Sequence, residues 1–316
     1  MITNYHQHSH FSDGNGALEE YVQAGLRAGL AAMGFTDHAP VPFFTEWTMP
    51  VTRLPEYRSE IRRLQRVFGD RIELSMGLEM DYLPEADVIA FQKEKVLALG
   101  WDYVIGSIHY LGHEPDGQYW SVDVGRETLE RGLQTIYGGD VRRYCDHYYA
   151  TARDLARDGR FTIMGHFDYT KRFNDHGRYY SDEATWYRQM IDETLRVFAA
   201  QDIILEVNSG GWRSPCRSAY PAPFILRRAC ELGIRVTLDS DAHRPWQVAY
   251  GLSRALDRVR RAGYTQVARL LGGQWRLVPL AGMEEDRAAG LPDPAHDGAA
   301  PGSAQGGNSL RSTPCA

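Results

Sequence analysis

Two histidines near the start of the chain are spaced so that both could bind one metal ion. His6 and His8 lie in the stretch NYHQHSHFSDG, where a short strand-like run meets a Ser-Asp-Gly turn. Residues i and i+2 of an extended strand point to the same face, so the two imidazoles can converge on one ion. Imidazole is a frequent ligand of zinc, iron and manganese, although such pairs also occur without a metal. A metal site therefore requires further ligands elsewhere in the chain.

Further residues of suitable chemistry follow short apolar runs along the chain. Asp241 and His243 repeat the i, i+2 spacing, and the carboxylate of Glu79 could bridge two ions because each oxygen can bind one. Asp13 is an additional candidate, although the turn alone can account for an acidic residue there. The candidate ligands that follow apolar runs are His6, His8, His38, Glu79, His109, His166, Asp241 and His243. This set is too large for one ion, so we expect two or three divalent ions of zinc, manganese or iron.

Clustered divalent ions suit the hydrolysis of phosphate esters. They lower the pKa of a bridging water to produce hydroxide, bind nonbridging phosphate oxygens and stabilise the leaving alkoxide. A metal-bridged hydroxide would be the nucleophile, and Glu79, Asp241 and His243 would be the catalytic residues. The sequence contains no P-loop, GxGxxG or Ser-His-Asp pattern, so kinase chemistry, dinucleotide binding and covalent acyl transfer have no sequence support.

Three basic residues lie in loops that follow predicted strands. The loop YTKRFN contains Lys171 and Arg172, and the loop GGWRS contains Arg213. Guanidinium groups match phosphate oxygens with paired, charge-assisted hydrogen bonds. We therefore predict that Arg172 and Arg213 bind phosphate, with Lys171 as the neighbouring alternative. Their presence also argues against a metal-storage or regulatory protein without turnover.

The elements that must position these residues alternate between strand and helix. Helical stripes such as Leu18, Val22 and Leu26 separate short apolar runs that end at or near the candidate residues. The predicted strands are the run that carries His6 and His8, then 30–35, 72–80, 103–108, 161–164, 203–207 and 234–238. Seven such units predict an α/β barrel with its metal site at the carboxyl-terminal rim of the strands. An open doubly wound sheet is the alternative, but it gathers ligands only near its switch point.

Other connections carry their own predictions. The Pro-rich and aromatic stretch 40–50 is long enough to be a lid. The polar stretch GHEPDGQYWSVDV after His109 predicts a loop, and residues 126–158 predict one or two helices broken near Gly138 and Gly139. A last short strand is expected at 275–278.

Composition limits the partners and the compartment. With 35 basic and 41 acidic residues the net charge is −6, and no Lys/Arg-rich tract is present, so we expect a small substrate rather than nucleic acid. The N-terminus has no signal-peptide features and no run approaches about 18 apolar residues, so we expect a cytoplasmic protein without membrane insertion. Scattered cysteines without CxxC spacing predict reduced thiols: Cys145, Cys216, Cys230 and Cys315. The oligomeric state is left open.

The chain is predicted to divide into two regions. Residues 1–282 would form the catalytic barrel domain. From Met283 onward the composition changes to Gly, Pro, Ser and Ala with almost nothing to bury, so 283–316 predicts a disordered tail.

Longer motifs add a resemblance to a known family. HxH, TDH and SDAH resemble the PHP (polymerase and histidinol phosphatase) superfamily, and TDHAP, DYLP, the KRFN after GHFD and SDAHRP resemble its histidinol-phosphatase branch. The resemblance covers the chain from about residue 2 to about 280. It implies a distorted (β/α)7 barrel, TIM-barrel-like, with a site of two or three ions that hydrolyses L-histidinol phosphate in histidine biosynthesis. A broader PHP phosphoesterase acting on nucleotides or other phosphate esters is the alternative.

One position departs from the family pattern. Some relatives carry a histidine eight residues after the first histidine of HxH, where this chain has Gly14. A third ion would then rely on Asp13 or on water, or be weakly held.

Overall fold

Seven parallel strands form a barrel in the computed structural model, which describes residues 2–281 and 283. Within these residues the strands are β1 (Thr3–Asn4), β2 (Ala32–Phe35), β3 (Glu73–Asp81), β4 (Tyr103–Ser107), β5 (Tyr110–His113), β6 (Tyr119–Ser121), β7 (Ile163–Met164), β8 (Ile204–Asn208), β9 (Val236–Asp239), β10 (Gln266–Leu271) and β11 (Gln274–Pro279). The barrel strands lie in the order β1-β2-β3-β4-β7-β8-β9, and each neighbouring pair is parallel.

The first and last barrel strands meet just beyond their ends. A parallel bridge joins Gln7 to Ala242, and the His8 amide donates to the Ala242 carbonyl oxygen at 2.8 Å. The sheet therefore forms a nearly closed barrel. The predicted (β/α)7 barrel is confirmed, and the open doubly wound alternative is wrong.

Helices connect the strands and bury their apolar stripes in the core. The α-helices of the described residues are α1 (Leu18–Arg27), α2 (Leu54–Phe68), α3 (Ala86–Phe91), α4 (Arg126–Tyr137), α5 (Val141–Asp158), α6 (Thr185–Gln201), α7 (Pro223–Glu231) and α8 (Leu252–Arg261). A π-helical turn, Gln92–Val96, and a 3-10 turn, Leu97–Leu99, extend α3. Other 3-10 turns are Val51–Arg53, Tyr169–Lys171, Asp175–Gly177, Ser209–Trp212 and Pro245–Gln247.

The break predicted within residues 126–158 lies between α4 and α5. Gly138 and Gly139 have φ angles of 65° and 82°, a left-handed conformation that glycine adopts at little cost. The side chain of Asp140 then accepts hydrogen bonds from the amides of Arg142 and Arg143 at 3.0 and 3.1 Å. This N-cap begins α5 in a new direction.

The stretch after His109 forms the antiparallel hairpin β5–β6 instead of the predicted loop. Three side chains of the hairpin are buried, those of Tyr110 and Leu111, which precede the polar stretch, and that of Trp120 within it. Burial of these apolar groups stabilises the pairing, and the turn between the strands contains Gly117 with φ 85°.

A second hairpin, β10–β11, includes the predicted strand at 275–278 and a strand that was not predicted. Ala268, Leu270 and Trp275 pack against Tyr5 and against residues at the amino-terminal ends of barrel strands, including Ala32 and Tyr103. The Leu270 amide donates to the Tyr5 hydroxyl at 3.1 Å. The hairpin therefore covers this end of the barrel and leaves the carboxyl-terminal rim accessible.

Part of the predicted organisation lies outside the described residues. Of the predicted tail, 283–316, the structure describes Met283 alone, which is buried. Cys145, Cys216 and Cys230 are free thiols, and Cys315 lies in the undescribed segment. Across residues 2–281 no helix is long and apolar enough to cross a membrane.

We expect Leu270→Ala to lower the free energy of unfolding by about 2–5 kcal/mol, because it leaves a cavity between the hairpin and the barrel. Leu270 is 1% exposed, whereas Leu277 on the paired strand is 46% exposed. Leu277→Ala is the matched control, with an expected change within about 0.5 kcal/mol. Urea unfolding measures both variants. Equal losses in the two would contradict the role assigned to the hairpin.

Candidate metal centre

The candidate ligands lie at the carboxyl-terminal ends of the barrel strands or just beyond them. They are His6 and His8 after β1, His38 after β2, Glu79 within β3, His109 after β4, His166 after β7, and Asp241 and His243 after β9. Among the described residues, ligand atoms lie within 4.8 Å of one another in three overlapping groups: His8, Asp13, His38 and His243; His6, His8 and Asp241; and His38, Glu79 and His109. His8 and His38 each belong to two groups, and because a neutral imidazole has one nitrogen free to bind an ion, the groups are neighbouring parts of one cluster.

Glu79 lies at the centre of the cluster, with its side chain almost completely buried. Its two oxygens face different sets of imidazole nitrogens. Oε2 lies 3.2 Å from His6, 3.3 Å from His8 and 3.1 Å from His38. Oε1 lies 2.9 Å from His166 and 3.7 Å from His109. This is the arrangement of a carboxylate that can bridge two ions.

Asp241 follows β9 and faces His6 and His8, which follow β1, at the place where the barrel closes. Its Oδ1 lies 3.3 Å from His8 Nε2 and 3.7 Å from His6 Nε2. The residue has a φ of 51°, an uncommon conformation for a residue other than glycine. Arg213 stabilises this turn, since its Nη2 donates to the carbonyl oxygens of Ser240 and Asp241 at 2.9 and 2.7 Å.

Asp13 occupies the part of the cluster next to Gly14. Its Oδ1 lies 3.7 Å from His38 Nε2, and its Oδ2 lies 3.3 Å from His243 Nε2. A Cβ atom at Gly14 would lie 2.0 Å from the carbonyl oxygen of His8, so this backbone leaves no room for a side chain there. The group that faces His8, His38 and His243 from this turn is therefore the carboxylate of Asp13.

Electrostatics favour positive charge at this centre. Burial opposes protonation of His6, but Glu206, Glu79 and Asp241 outweigh it and raise the His6 pKa well above its ordinary value. Burial also opposes ionisation of Glu79 and Asp241, but imidazoles, His6 first, hold both pKa values well below their usual range. Burial, reinforced by His8, lowers the pKa of His38 to about 3. The ionised carboxylates and the neutral His38 imidazole are the forms that bind metal, and at His6 a bound cation would take the place of the proton.

Several ring nitrogens also lack partners inside the protein. Within the described residues, Nδ1 of His8, His38 and His166 is buried without a hydrogen bond, and the Glu79 oxygen that lies 3.1 Å from His38 Nδ1 is not in hydrogen-bonding geometry. A buried polar atom without a partner is costly unless it binds something else. The first two belong to the ligand groups, so the residues present fit a divalent metal site.

Two carboxylates outside the predicted set of site residues orient the ligands. Glu206 Oε1 lies 2.5 Å from His6 Nδ1, and Asp81 Oδ1 lies 3.0 Å from His109 Nδ1. Each contact directs the opposite nitrogen, Nε2, toward Glu79. The other oxygen of Glu206 accepts the His166 amide at 2.7 Å. The sequence feature that could have identified Glu206 is its position as a charged residue inside the run ILEVN of β8.

The predicted phosphate-binding residues divide into two groups. Arg172 and Arg213 line the same cavity as the metal ligands, with Arg172 Nη1 donating to Ser214 Oγ at 3.0 Å. Lys171 does not line this cavity. Its Nζ donates to the Ala219 carbonyl oxygen at 2.8 Å and lies 2.9 Å from Asp168 Oδ2. The geometry therefore supports the two arginines and gives Lys171 a structural ion pair instead.

The cavity above the cluster has a volume of about 480 Å³. Its wall includes Trp47 from the stretch predicted to be a lid. The Trp47 ring contacts the rings of His38 and His109 edge-on, with centroids 4.5 and 5.3 Å apart. This loop therefore forms one side of the site.

A parallel barrel with imidazoles and carboxylates clustered at its carboxyl-terminal rim defines a class of metal-dependent barrel hydrolases. The model of the PHP domain family matches residues 4–210, and this chain belongs to that family. It is 38% identical over 256 residues to a Deinococcus radiodurans protein named probable histidinol-phosphatase, covering 78% of this chain and 88% of that protein.

Two solved structures share the fold. The hisK protein of Listeria monocytogenes has a TM-score of 0.72 at 22% identity, covering 80% of this chain and 99% of that one. The histidinol phosphate phosphatase of Lactococcus lactis, solved with zinc, L-histidinol and phosphate, has a TM-score of 0.63 at 24% identity, covering 87% and 98%.

We expect Glu206→Gln to weaken zinc affinity by about 10- to 100-fold, because the neutral amide no longer orients His6 as the carboxylate does. Competition with a chromophoric chelator measures the affinity, and circular dichroism checks that the variant folds. Glu183→Gln is the control, since that side chain is 80% exposed. Unchanged affinity in a folded Glu206→Gln variant would contradict the orienting role.

Proposed function

We propose that this chain is a metal-dependent phosphomonoesterase that hydrolyses L-histidinol phosphate to L-histidinol and phosphate, a step of histidine biosynthesis. The observation that carries the proposal is one cavity lined by both the imidazole and carboxylate cluster and two arginines, Arg172 and Arg213. Divalent cations and guanidinium groups together match a phosphate dianion. The Deinococcus relative is named probable histidinol-phosphatase, and the Lactococcus protein was solved with zinc, L-histidinol and phosphate.

The proposed metal ligands are His6, His8, His38, Glu79, His109, His166, Asp241 and His243, with Asp13 as a further ligand. Three overlapping groups support two or three ions of zinc, manganese or iron. When bound, such ions supply an activated water and polarise the phosphate oxygens. Glu79 and Asp241, with His243, are the proposed catalytic residues because they would hold the ions and also line the cavity that would receive the phosphate.

The protein's own groups orient the reactants. His243 Nδ1 lies 3.0 Å from the Asp241 carbonyl oxygen, which leaves Nε2 available as a ligand atom. Arg172 and Arg213 would bind phosphate oxygens that face away from the ions, and Arg213 would couple that contact to the turn that carries Asp241. This coupling would hold the phosphate in a fixed position relative to Asp241.

We also propose a small-molecule substrate rather than nucleic acid. A cavity of about 480 Å³ is in the range of small-molecule sites, and the net charge of −6 does not favour a polyanion. A cytoplasmic location stays a prediction from the sequence.

Phosphate release from a panel of esters tests the proposed function. Protein stripped with a chelator and reloaded with zinc, manganese or iron is assayed with L-histidinol phosphate, a nucleoside monophosphate and a phosphodiester. We expect the highest kcat/KM for L-histidinol phosphate, with at least two metal equivalents by elemental analysis. A higher kcat/KM for the nucleotide or diester would favour the broader phosphoesterase. One equivalent or fewer in fully active protein would contradict the multinuclear site.

We expect Arg172→Ala to lower kcat/KM for L-histidinol phosphate by about tenfold to a thousandfold, about 1.4 to 4 kcal/mol, because a guanidinium contact to phosphate is lost. Metal content should be unchanged. Arg213→Ala should fall in the same range, with metal content measured in parallel because of its bonds to the Asp241 turn. Arg178→Ala, at a half-exposed surface arginine, is the control. Kinetics within about twofold of the parent for both cavity variants would leave phosphate binding to the ions alone.

A further inference from the structure

One carboxylate in the cavity wall belongs to none of the metal-ligand groups. The acidic residues that line the cavity are Asp13, Glu79, Asp123 and Asp241, and the three groups of candidate ligands include all of them except Asp123. Asp123 follows the hairpin β5–β6, an element that the barrel itself does not require. Its position in the wall therefore calls for a role other than metal binding.

The backbone and two hydroxyls hold Asp123 in place. The amide of Val122 donates to the His109 carbonyl oxygen at 2.9 Å, so the hairpin is tied to a candidate ligand immediately before Asp123. Ser121 Oγ donates to Asp123 Oδ1 at 2.7 Å, and the Tyr169 hydroxyl donates to Oδ2 at 3.2 Å. These contacts fix the direction of the carboxylate in advance of any ligand.

The carboxylate has no cationic partner in the described part of the chain. No lysine, arginine or histidine nitrogen there comes within 4.0 Å of it. Burial opposes its ionisation, but the more distant charges of His109 and Arg172 lower the Asp123 pKa, and Arg172 donates its hydrogen bond to Ser214 instead. Two neutral hydroxyls do not use the full acceptor capacity of a carboxylate. A negative charge in a cavity therefore remains available to a cation from outside the protein.

The order of elements around the rim places this charge beside the phosphate subsite. Asp123 follows the strand β4 and its hairpin, Arg172 follows the next barrel strand, β7, and Arg213 follows β8. The same wall thus presents an anionic group and then two cationic groups. A substrate that carries a phosphate and an ammonium group a few bonds apart matches this sequence of charges.

We propose that Asp123 is a substrate-binding residue that pairs with the ammonium group of an aminoalkyl phosphate whose phosphate lies at Arg172 and Arg213. The inference rests on the proposed function and deepens it, since L-histidinol phosphate bears its amine on the carbon next to the one that carries the phosphate ester. Asp123 selects for esters with this vicinal ammonium group, and the ions and arginines act on the phosphate that all esters share.

Kinetics of Asp123→Asn on three esters test the assignment. The full-length, zinc-loaded variant is assayed with L-histidinol phosphate, 2-aminoethyl phosphate and ethyl phosphate, of which only the first two carry an ammonium group. We expect kcat/KM to fall roughly thirtyfold or more for the two amines, chiefly through KM, because a charge pair is lost. For ethyl phosphate it should stay within about threefold of the parent. Calorimetry should show weaker binding of the product L-histidinol.

Asp116→Asn is the matched control, because it removes the same charge from the turn of the same hairpin, and its carboxylate accepts the Gln118 amide outside the cavity wall. An equal loss on all three esters would assign Asp123 a purely structural role and overturn the proposal, as would no loss on either amine. If the parent prefers neither amine over ethyl phosphate, the proposal fails too. If the parent prefers 2-aminoethyl phosphate over ethyl phosphate but does not hydrolyse L-histidinol phosphate, the proposed function fails. The Asp123 assignment still stands in that case if the Asp123→Asn variant loses the preference for 2-aminoethyl phosphate.

Discussion

A buried carboxylate stays ionised only where groups that favour its charge surround it, and Glu79 shows how far the structure depends on that constraint. The imidazoles around its two oxygens come from four other strand ends. None of these rings could approach Glu79 unless the strands converged at one rim. The charge of one side chain therefore requires both the closure of the barrel and the parallel direction of its strands, and a bound cation would satisfy the same requirement.

The surrounding structure restrains the imidazoles rather than adding ligands. Glu206 and Asp81 accept from the outer nitrogens of His6 and His109, so these rings cannot turn away from the centre. At the other end of the barrel, the hairpin β10–β11 fills the interior with apolar side chains. The amino-terminal end of the barrel thus contributes stability and the carboxyl-terminal rim carries the reactive residues, as is usual for parallel barrels.

The sequence predicted the barrel and the residues that the rim brings together because both follow from local patterns: apolar runs of strand length, helical stripes between them, and polar residues where each run ends. Two hairpins escaped prediction for a physical reason. The turn that joins β5 to β6, EPDGQ, is polar, and the pairing of the two strands depends on burial of Tyr110 and Trp120 by distant parts of the chain. The strand β10 gains stability from contact with Tyr5, which is remote in sequence.

What the sequence by itself determined was the chemistry of the site: the spacing of His6 and His8, its repetition at Asp241 and His243, and the family to which these motifs belong. Only the tertiary structure decided which of the adjacent candidate phosphate-binding residues reaches the cavity. Arg172 and Lys171 are adjacent, yet the 3-10 turn directs Arg172 to the cavity and Lys171 to Asp168. Asp123 and Glu206 likewise acquire a place at the site only through the folded chain. Side-chain direction and distance across the barrel depend on how remote segments pack, and no local pattern encodes them.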